Sequence, residues 1–411
     1  MTQTMMMMTT KIKGLMLASG LATLAMLQPA MALDAQAFMQ RIADVYKMGG
    51  YDITFDTATA NGDTVVVDGL NVSITGVDEA IALDTQLTFT GVSETDDGGF
   101  TAERLTVPDI DTNFSEDPVG RVTVTGIVVE DIYLPPAGPM DTVDLMMTAG
   151  RMATGPITVT RDGADFFSIA GIDATNEFSF DANDELTDIV SVFDITDIRA
   201  DLSAASEEDP DTAATIEALG LTTISGNINQ SMSWTMTDGH VVIDQFLMDF
   251  DNVGALNFTA DLSGLTPAIL DKIYAMQAST MDPTSEEAQA KQMMLGMELL
   301  QAISLAGVNV RYDEDSLAGK LLDFYAAQSG AERAEFVEGI KAMLPQMIGQ
   351  FGIPALSDMV VPAVTAFLDN PQSFEVAIKP AQPTSLLVLS AAAANPAGLI
   401  SALGLAVTAN Q

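Results

Sequence analysis

Apolar and polar residues alternate with a period of two over most of the chain between residue 51 and about residue 265. Clear runs of this alternation lie at residues 70–74, 81–89, 122–124, 178–180 and 256–258. Threonine supplies much of the polar side, and its β-branched side chain favours strands. Because successive side chains of a strand point to opposite faces of a sheet, the pattern predicts strands with one apolar and one polar face.

Short polar turns separate these runs of alternation. The turns are Asn61-Gly62, Asp97-Gly98-Gly99, Asp162-Gly163 and Asp238-Gly239. Turns of this length and composition connect neighbouring antiparallel strands in space. We therefore expect an antiparallel meander in which one face of the sheet is dry and the other is wet.

A weak internal repeat runs through the same region. Residues 66–72, 128–134 and 242–248 each read apolar, apolar, acidic, any, apolar, any, apolar. The irregular spacing between them excludes a strict solenoid. We interpret the three segments as one type of hairpin strand reused in a single sheet; the alternative is that any amphipathic strand produces this pattern.

Helical periodicity appears at the start of the β-rich region and after it. Asp34 can cap a helix over residues 34–48, which Gly49-Gly50 would end. From Thr266 to about Asn370 the apolar spacing is helical. Helices are predicted to start at Thr266-Pro267 and Ser285, the second extending through Ile303, and to cover residues 315–328, 331–343 and 355–368, with Pro345 and Pro354 bracketing a turn.

Residues 371–411 predict a mixture of short elements. Residues 374–378 alternate again, residues 383–394 and 396–403 read as two short helices, and residues 405–408 read as an edge strand. The fold class is therefore expected to be α+β: an extended, curved antiparallel β-sheet, a meander or groove, with a helical segment before the C-terminal strand.

The patterns divide the chain into four parts. They are a signal peptide (1–32), an N-terminal helix with a β-rich extended sheet (33–265), a methionine-rich helical segment (266–370), and a C-terminal strand with short helices (371–411). Residues 206–211, with four acids and a proline, are the clearest surface loop.

The first 32 residues have the layout of a secretory signal. Lys11 and Lys13 precede an apolar stretch at residues 14–27, and Ala30-Met31-Ala32 is a small-x-small cleavage site. We expect cleavage after Ala32 and a periplasmic protein with no transmembrane anchor after cleavage; the alternative is an uncleaved anchor. Removing these residues removes two lysines and no acid, so the net charge of -41 becomes -43.

Composition excludes several classes of function. With 16 basic and 57 acidic residues, the chain does not suit a nucleic-acid-binding surface. It has no cysteine and one histidine, which excludes disulfide frameworks, thiolate nucleophiles, iron–sulfur clusters and histidine-rich metal sites. Apolar residues make up 48% of the chain, enough for a globular core.

Candidate catalytic and metal-binding patterns are weak. Residues 109–113 begin like a calcium loop, but Phe114 and Gly120 stand where such a loop needs glycine and a bidentate acid. His240 is predicted to be an exposed turn histidine, and no Gly-x-Ser-x-Gly elbow follows the signal. Trp234 is the only tryptophan, which disfavours a sugar site. No catalytic residue, dedicated metal site or cofactor is predicted, while loose calcium association with the acidic surface stays open.

Methionines are frequent in the helical segment. They are Met276, Met281, Met293, Met294, Met297, Met343, Met347 and Met359. Methionine adapts to irregular apolar partners, so these helices could cover an acyl-chain cavity or a partner groove. The alternative is ordinary packing in a helical core.

Three stretches together resemble a known group of proteins. They are residues 33–76, with Gly62-Asp63-Thr64; residues 239–265, with Asp251-Asn252-Val253-Gly254; and residues 367–407, with Asp369-Asn370-Pro371 and Asn395-Pro396. Their order resembles uncharacterised periplasmic proteins of Gram-negative bacteria classed as domains of unknown function. More distantly it is similar to the AsmA-like and YdgA-like β-rich envelope proteins. The resemblance implies an extended curved sheet with helices near its ends and, for the AsmA-like group, an apolar groove associated with lipid transport.

Three functions follow as hypotheses. The first is a non-enzymatic periplasmic envelope protein that binds a lipid or other hydrophobic ligand in a β-sheet groove. The second is a scaffold or assembly factor that binds another envelope protein. The third is a carboxylate-dependent hydrolase, which would need two convergent acids in a cleft. An apolar face left open favours the first, whereas a fully packed face favours the second.

Overall fold

The computed structural model describes residues 33–74, 81–83, 86–203, 210–277, 286–392 and 395–411. The predicted signal peptide, residues 206–209 of the predicted acidic loop, the predicted helix start at Ser285 and Met281 lie outside these residues. The described helices are α1 (Ala35–Met48), α2 (Thr142–Met146), α3 (Pro210–Leu219), α4 (Pro267–Gln277), α5 (Glu286–Ala302), α6 (Leu317–Ser329), α7 (Arg333–Gly349), α8 (Pro354–Asp369), α9 (Leu386–Ala392) and α10 (Pro396–Leu403).

The described strands follow the alternating runs of the sequence. In the first half of the chain they are β1 (Tyr51–Thr54), β2 (Thr57–Asn61), β3 (Thr64–Asp68), β4 (Leu70–Ile74), β5 (Ile81–Leu83), β6 (Leu87–Thr90), β7 (Ser93–Glu94), β8 (Phe100–Thr106), β9 (Ile110–Glu116), β10 (Val119–Val124), β11 (Val128–Leu134), β12 (Ala149–Thr154), β13 (Ile157–Arg161), β14 (Ala164–Ile169), β15 (Gly171–Phe180) and β16 (Leu186–Asp201). The later strands are β17 (Thr223–Thr235), β18 (His240–Phe250), β19 (Gly254–Ser263), β20 (Ser304–Glu314), β21 (Ser373–Ile378), β22 (Thr384–Ser385) and β23 (Leu405–Ala409).

Most strands belong to one large antiparallel sheet. Its neighbours run in the order β2-β3-β6-β8-β11-β12-β15-β16-β17-β18-β19-β20-β21-β23. A second series of antiparallel pairings, β9-β10-β13-β14, joins the same sheet because β14 pairs with β16. No pairing between described residues joins β2 to β23, so the sheet is open. The expected α+β class with an extended antiparallel sheet is confirmed.

The first helix closes one end of this sheet. Asp34 caps α1 by accepting hydrogen bonds at 3.0 Å from the backbone N–H groups of Gln36 and Ala37. Its buried face carries Phe38 and Val45, which pack with residues of β3, β6, β8 and β11. The edge-to-face contacts of the Phe38 ring with Phe89 and Phe100, at 5.0 and 5.6 Å, lie inside this cluster. We call it the N-terminal core.

The later helices are inserted between neighbouring strands. α4 and α5 connect β19 to β20, and α6 to α8 connect β20 to β21. α8 packs against β21 and β23, and α2 packs against α4. The helical segment between β19 and β21 therefore also contributes a strand, β20, to the sheet.

Four sequence interpretations differ from the structure. The helix predicted through Ile303 ends at Ala302. Strand β20 follows within the segment predicted to be helical. Its alternating residues Ala306, Val308 and Val310 were not recognised as a strand because the sequence on both sides has helical spacing. Pro345 lies inside α7 instead of bounding a turn. Residues 66–72 span β3 and β4, which belong to different sheets, so the three repeats are not one reused strand. Pro210 of the predicted acidic loop begins α3.

Candidate functional site: the apolar face of the sheet

The strand register fixes which side chains share a face between β15 and β23. Directly opposed residues of an antiparallel pair lie on the same face, so each chain of partners is a row across the sheet. The first row begins at Phe178, Ile189 and Trp234. The second row comprises Asn176, Ser191, Met232, Ile243, Ala260, Val308, Ile378 and Leu405. The third comprises Ala174, Phe193, Gln230, Phe246, Phe258, Val310, Val376 and Val407.

We call the face that carries these rows the apolar face, and its second and third rows the central rows. The alternate residues form the polar face, which carries Val192, Ser231, Gln245 and Asn309 at one level of the sheet. A bulge at Asp244 in β18 interrupts the register, but Ile243 and Phe246 stay on the apolar face on either side of it. The alternation seen in the sequence thus separates two chemically different surfaces.

Helices α2 and α4 cover the first row. Val143 and Met146 of α2 and Leu270 of α4 pack against Ile189 and Trp234. The Trp234 indole Nε1–H donates to the Leu265 carbonyl at 2.9 Å, which ties the strand to the start of α4. This contact satisfies the one polar group of the ring where the ring is buried.

A glycine turn holds the start of α4 against the sheet. Gly239 has φ +63°, and a Cβ there would lie 2.3 Å from the backbone of Leu265 and Thr266. The Leu265 N–H donates to the Gly239 carbonyl at 3.0 Å. Only glycine allows this approach without strain, because an added Cβ would overlap the neighbouring chain.

Helix α8 covers the other end of the apolar face. Its Phe367 ring meets Tyr312 and Phe374 edge to face at 6.4 and 5.7 Å. The Tyr312 hydroxyl donates to the Val253 carbonyl at 2.6 Å. Burial, reinforced by the nearby carboxylates of Glu314 and Asp315, raises the pKa of Tyr312 to about 12.

The central rows between these helices are incompletely covered. Of their members only Ala260 is buried, and Val310 is 38% exposed. In the N-terminal core, by contrast, Phe38 and Val45 are 0% exposed. Apolar side chains of the central rows therefore stay in contact with solvent, although they lie on the face that the alternation marks as dry.

The central rows contain no charged side chain. Their polar members are Asn176, Ser191 and Gln230, and the Ser191 hydroxyl donates to Asn176 Oδ1 at 2.7 Å. An uncharged, mostly aliphatic and aromatic surface offers contact area, and its one hydroxyl, that of Ser191, donates to an amide oxygen and not to a general base. It can bind an apolar chain.

Two arginines on the strands each form ion pairs with two acidic side chains. Arg151 donates to Glu130 at 2.6 Å and to Asp173 at 2.5 Å, and hydrogen bonds to these two carboxylates raise the pKa of Arg151. Arg311 is paired with Asp313 at 2.6 Å and Glu375 at 3.2 Å. Such partly exposed pairs order the side chains but contribute little free energy.

The lone histidine lies on the polar face at the start of β18. Its Nε2 is 2.8 Å from Asp261 Oδ1, and both side chains are exposed. Thr235, opposite His240 in the register, donates its hydroxyl to Asp188 at 2.7 Å instead. Among the described residues, no hydroxyl group is hydrogen-bonded to this His–Asp pair, whereas a catalytic triad requires one as its nucleophile.

The segment that begins like a calcium loop forms a strand. Asp111 in β9 is ion-paired with Arg121 at 2.5 Å, and this hydrogen bond lowers the pKa of Asp111. Asp109 accepts a hydrogen bond from the Gly126 N–H at 3.0 Å. Within the described residues no group of three or more histidine, aspartate or glutamate side chains is placed to hold a metal ion.

The methionines of the helices point largely to solvent. Met293 and Met294 of α5 are 73% and 74% exposed, and Met343 and Met347 of α7 are also exposed. Met359 is half-buried. Ordinary core packing therefore does not account for the exposed methionines, which are available to an apolar partner.

Sequence reasoning missed Val308 and Val310 as members of the face. Val308, Val310 and Tyr312 alternate with Asn309 and Arg311, which is a strand signal of two periods. The helices on either side dominated the longer window. Testing short windows separately would have found these residues.

Comparison with known proteins gives a coarse relationship. Residues 247–410, less than half of the chain, match the model of a family described as uncharacterized protein. No curated protein matches the chain. The matched range extends from within β18 through β23 and so includes the later part of the apolar face. Separately, the described part of the chain contains no helix with the length and apolar character needed to cross a membrane.

Proposed function

We propose that the chain is a non-enzymatic envelope protein of the periplasm that binds the apolar chain of a lipid or similar hydrophobic ligand on the central rows. One observation carries this proposal: between the cover of α2 and α4 and the cover of α8, the apolar side chains of the central rows other than Ala260 are at most half-buried, and Val310 is 38% exposed. A monomeric protein exposes such a continuous apolar surface at a cost, unless a ligand or partner covers it.

The free energy of burying an alkyl chain sets the affinity expected for such a ligand. Each methylene group removed from water contributes about 0.8 kcal/mol. A chain with about eight methylenes in contact would gain roughly 6 kcal/mol before the cost of association. At about 1.4 kcal/mol per factor of ten, roughly 6 kcal/mol corresponds to a dissociation constant of tens of micromolar at best, so an alkyl chain alone is expected to bind weakly.

The sequence supports the location and the ligand class. The basic residues, apolar stretch and small-x-small site of residues 1–32 support export. The resemblance to the AsmA-like envelope proteins supports a lipid ligand. Mass spectrometry of the N-terminal peptide, on protein recovered from a Gram-negative periplasmic extract, tests export. We expect a chain that starts at Leu33. A full-length chain retained in the membrane would contradict export with cleavage.

A matched pair of valines tests the ligand. Val310 lies on the apolar face and Val192 on the polar face, and each is 38% exposed. Protein purified without detergent would be extracted with organic solvent, and its lipids would be quantified by mass spectrometry. We expect lipid with the unmodified protein and with Val192→Glu, but a loss of most of it with Val310→Glu, because a buried carboxylate opposes an acyl chain. Absence of lipid in all three proteins, or equal loss in both variants, would contradict the proposal.

A scaffold function is the second candidate. It is favoured by the exposed methionines of α5 and α7 and by β23, an edge strand without any charged residue. Crosslinking in intact cells distinguishes it, since a scaffold predicts one dominant protein adduct through these helices or this edge. Lipid without such an adduct would leave the first proposal alone.

A further inference from the structure

Methionines occupy the solvent face of α5. Met293 and Met294 are 73% and 74% exposed, and Met297 is 45% exposed. On the opposite side of the helix, Ala288 is buried and Leu295 is half-buried. The solvent face of a surface helix usually carries polar side chains. Three exposed methionines within little more than one helical turn therefore have a reason other than core packing.

Sulfur, and not apolar surface alone, distinguishes these positions. The exposed large apolar side chains of α5 and α7 are all methionine, whereas those of the described strands are mainly valine and phenylalanine. Leucine or isoleucine would give a partner similar apolar contact area without sulfur. Thioether sulfur is a soft metal ligand, which favours Cu(I) over hard ions such as Ca²⁺ and Mg²⁺. The exclusive use of methionine therefore points to coordination of a soft ion.

The spacing of the three methionines lets their sulfurs reach one ion. Met293 and Met297 lie at positions i and i+4, and Met294 and Met297 at positions i and i+3. Residues at these separations are neighbours on a helix surface, with Cβ atoms about 5–6 Å apart. At about 100° of rotation per residue, all three lie within roughly 100° of the helix circumference. Because methionine is unbranched and has three rotatable bonds, the three thioethers can converge on one side of α5.

The rest of the chain offers a soft ion little competition. The chain has no cysteine, so methionine is its only sulfur ligand. Its single histidine is already paired with Asp261, at 2.8 Å. The net charge of -41 also attracts cations toward the protein at low ionic strength.

We propose that Met293, Met294 and Met297 form a binding site for a soft monovalent metal ion of the Cu(I) type on the solvent face of α5. The three neutral sulfurs coordinate the ion without releasing a proton, unlike a cysteine or histidine site. The affinity is therefore expected to be independent of pH between about pH 5.5 and 8. This site is separate from the central rows and does not depend on the function proposed for them.

Silver nitrate added to the full chain in chloride-free buffer tests the site, because Ag(I) is soft and stays monovalent in air. In protein labelled with ¹³C-methyl methionine, NMR follows each thioether separately. We expect the methyl signals of Met293, Met294 and Met297 to shift together and before those of the other methionines. Shifts that appear equally at Met152, which is 51% exposed, would overturn the proposal.

Leucine substitutions provide the matched comparison. Changing Met293, Met294 and Met297 together to leucine removes the three sulfurs but keeps apolar side chains of similar volume and helix propensity. Met152→Leu is the control, because this exposed methionine lies on β12 between Val129 and Ala174. We expect the triple variant to weaken Ag(I) binding at least about tenfold and the control to leave it unchanged.

Two results would overturn the site on α5. Equal Ag(I) affinity of the triple variant and the unmodified protein would leave the exposed methionines as contacts for an apolar partner. Affinity that falls as the pH is lowered from about 8 to 5.5 would identify His240 or carboxylates as the ligands instead of thioethers.

Discussion

The apolar face of the sheet is buried to different extents in the N-terminal core and in the central rows. At the N-terminal core, α1 covers β3, β6, β8 and β11, and Phe38, Val65 and Val67 are removed from solvent completely. In the central rows Phe258 comes from equally regular alternation, yet it is only half-buried, as is Phe246 beside the bulge at Asp244. Alternation therefore says which side of a strand is apolar, but the position of a helix decides whether that side becomes core or binding surface.

Phenylalanine truncation sharpens this comparison most strongly. Phe38→Ala removes a ring from a closed cluster and is expected to destabilise the fold by about 3–5 kcal/mol. Phe258→Ala removes a half-exposed ring and is expected to cost at most about 2 kcal/mol, since less surface returns to water. Guanidinium unfolding of both variants checks this. Equal losses would show that the central rows are as well packed as the N-terminal core.

A buried arginine provides the second test of the N-terminal core. The Arg41 guanidinium donates to the carbonyls of Pro135 and Pro136 and is 6% exposed. Arg41→Met leaves two carbonyls without donors, so a loss of about 2 kcal/mol is expected. Arg121→Met, which breaks an exposed ion pair with Asp111, is the control and should leave the unfolding midpoint unchanged. A midpoint that moves only in the control would contradict this account.

A substitution at the end of the apolar face that α8 covers is expected to have the smallest effect on the free energy of unfolding. Tyr312→Phe removes the hydrogen bond to Val253 and is expected to cost about 1 kcal/mol. The folded chain favours the neutral phenol, so its contribution is complete below pH 10 and is lost as the pH rises through about 12. Absorbance at 295 nm should show a late phase near pH 12 that loses one tyrosine in the variant. An unchanged late phase would show that α8 does not bury Tyr312.

The sequence predicted the elements better than their arrangement. The period-two runs, the glycine turns and the capped helix at Asp34 all reappear because each depends on contacts within a few residues. Strand β20 was not predicted because its eleven residues lie between two helical stretches. Its pairing with β19 and β21 stabilises it as a strand.

The candidate site could not be predicted as a site. Which face is apolar follows from Phe246, Phe258 and Val376, which alternate with polar or smaller neighbours. Whether that face is covered depends on α2 and α4 at one end and α8 at the other, and the contacts that place these helices join residues distant in sequence, such as Thr142 with Asp271 and Tyr312 with Phe367. No local pattern specifies such a distance, because it is set by the order of strands in the sheet.

The most direct test of the open apolar face uses the absence of cysteine in the chain. Val310→Cys and Val192→Cys each create a single thiol, at equal exposure and on opposite faces, that acrylodan can label. Addition of dodecyl maltoside below its micellar concentration is predicted to shift the emission at position 310 to the blue and to leave position 192 unchanged. An unchanged emission at position 310, or an equal shift at both positions, would contradict the claim that the central rows receive an apolar chain.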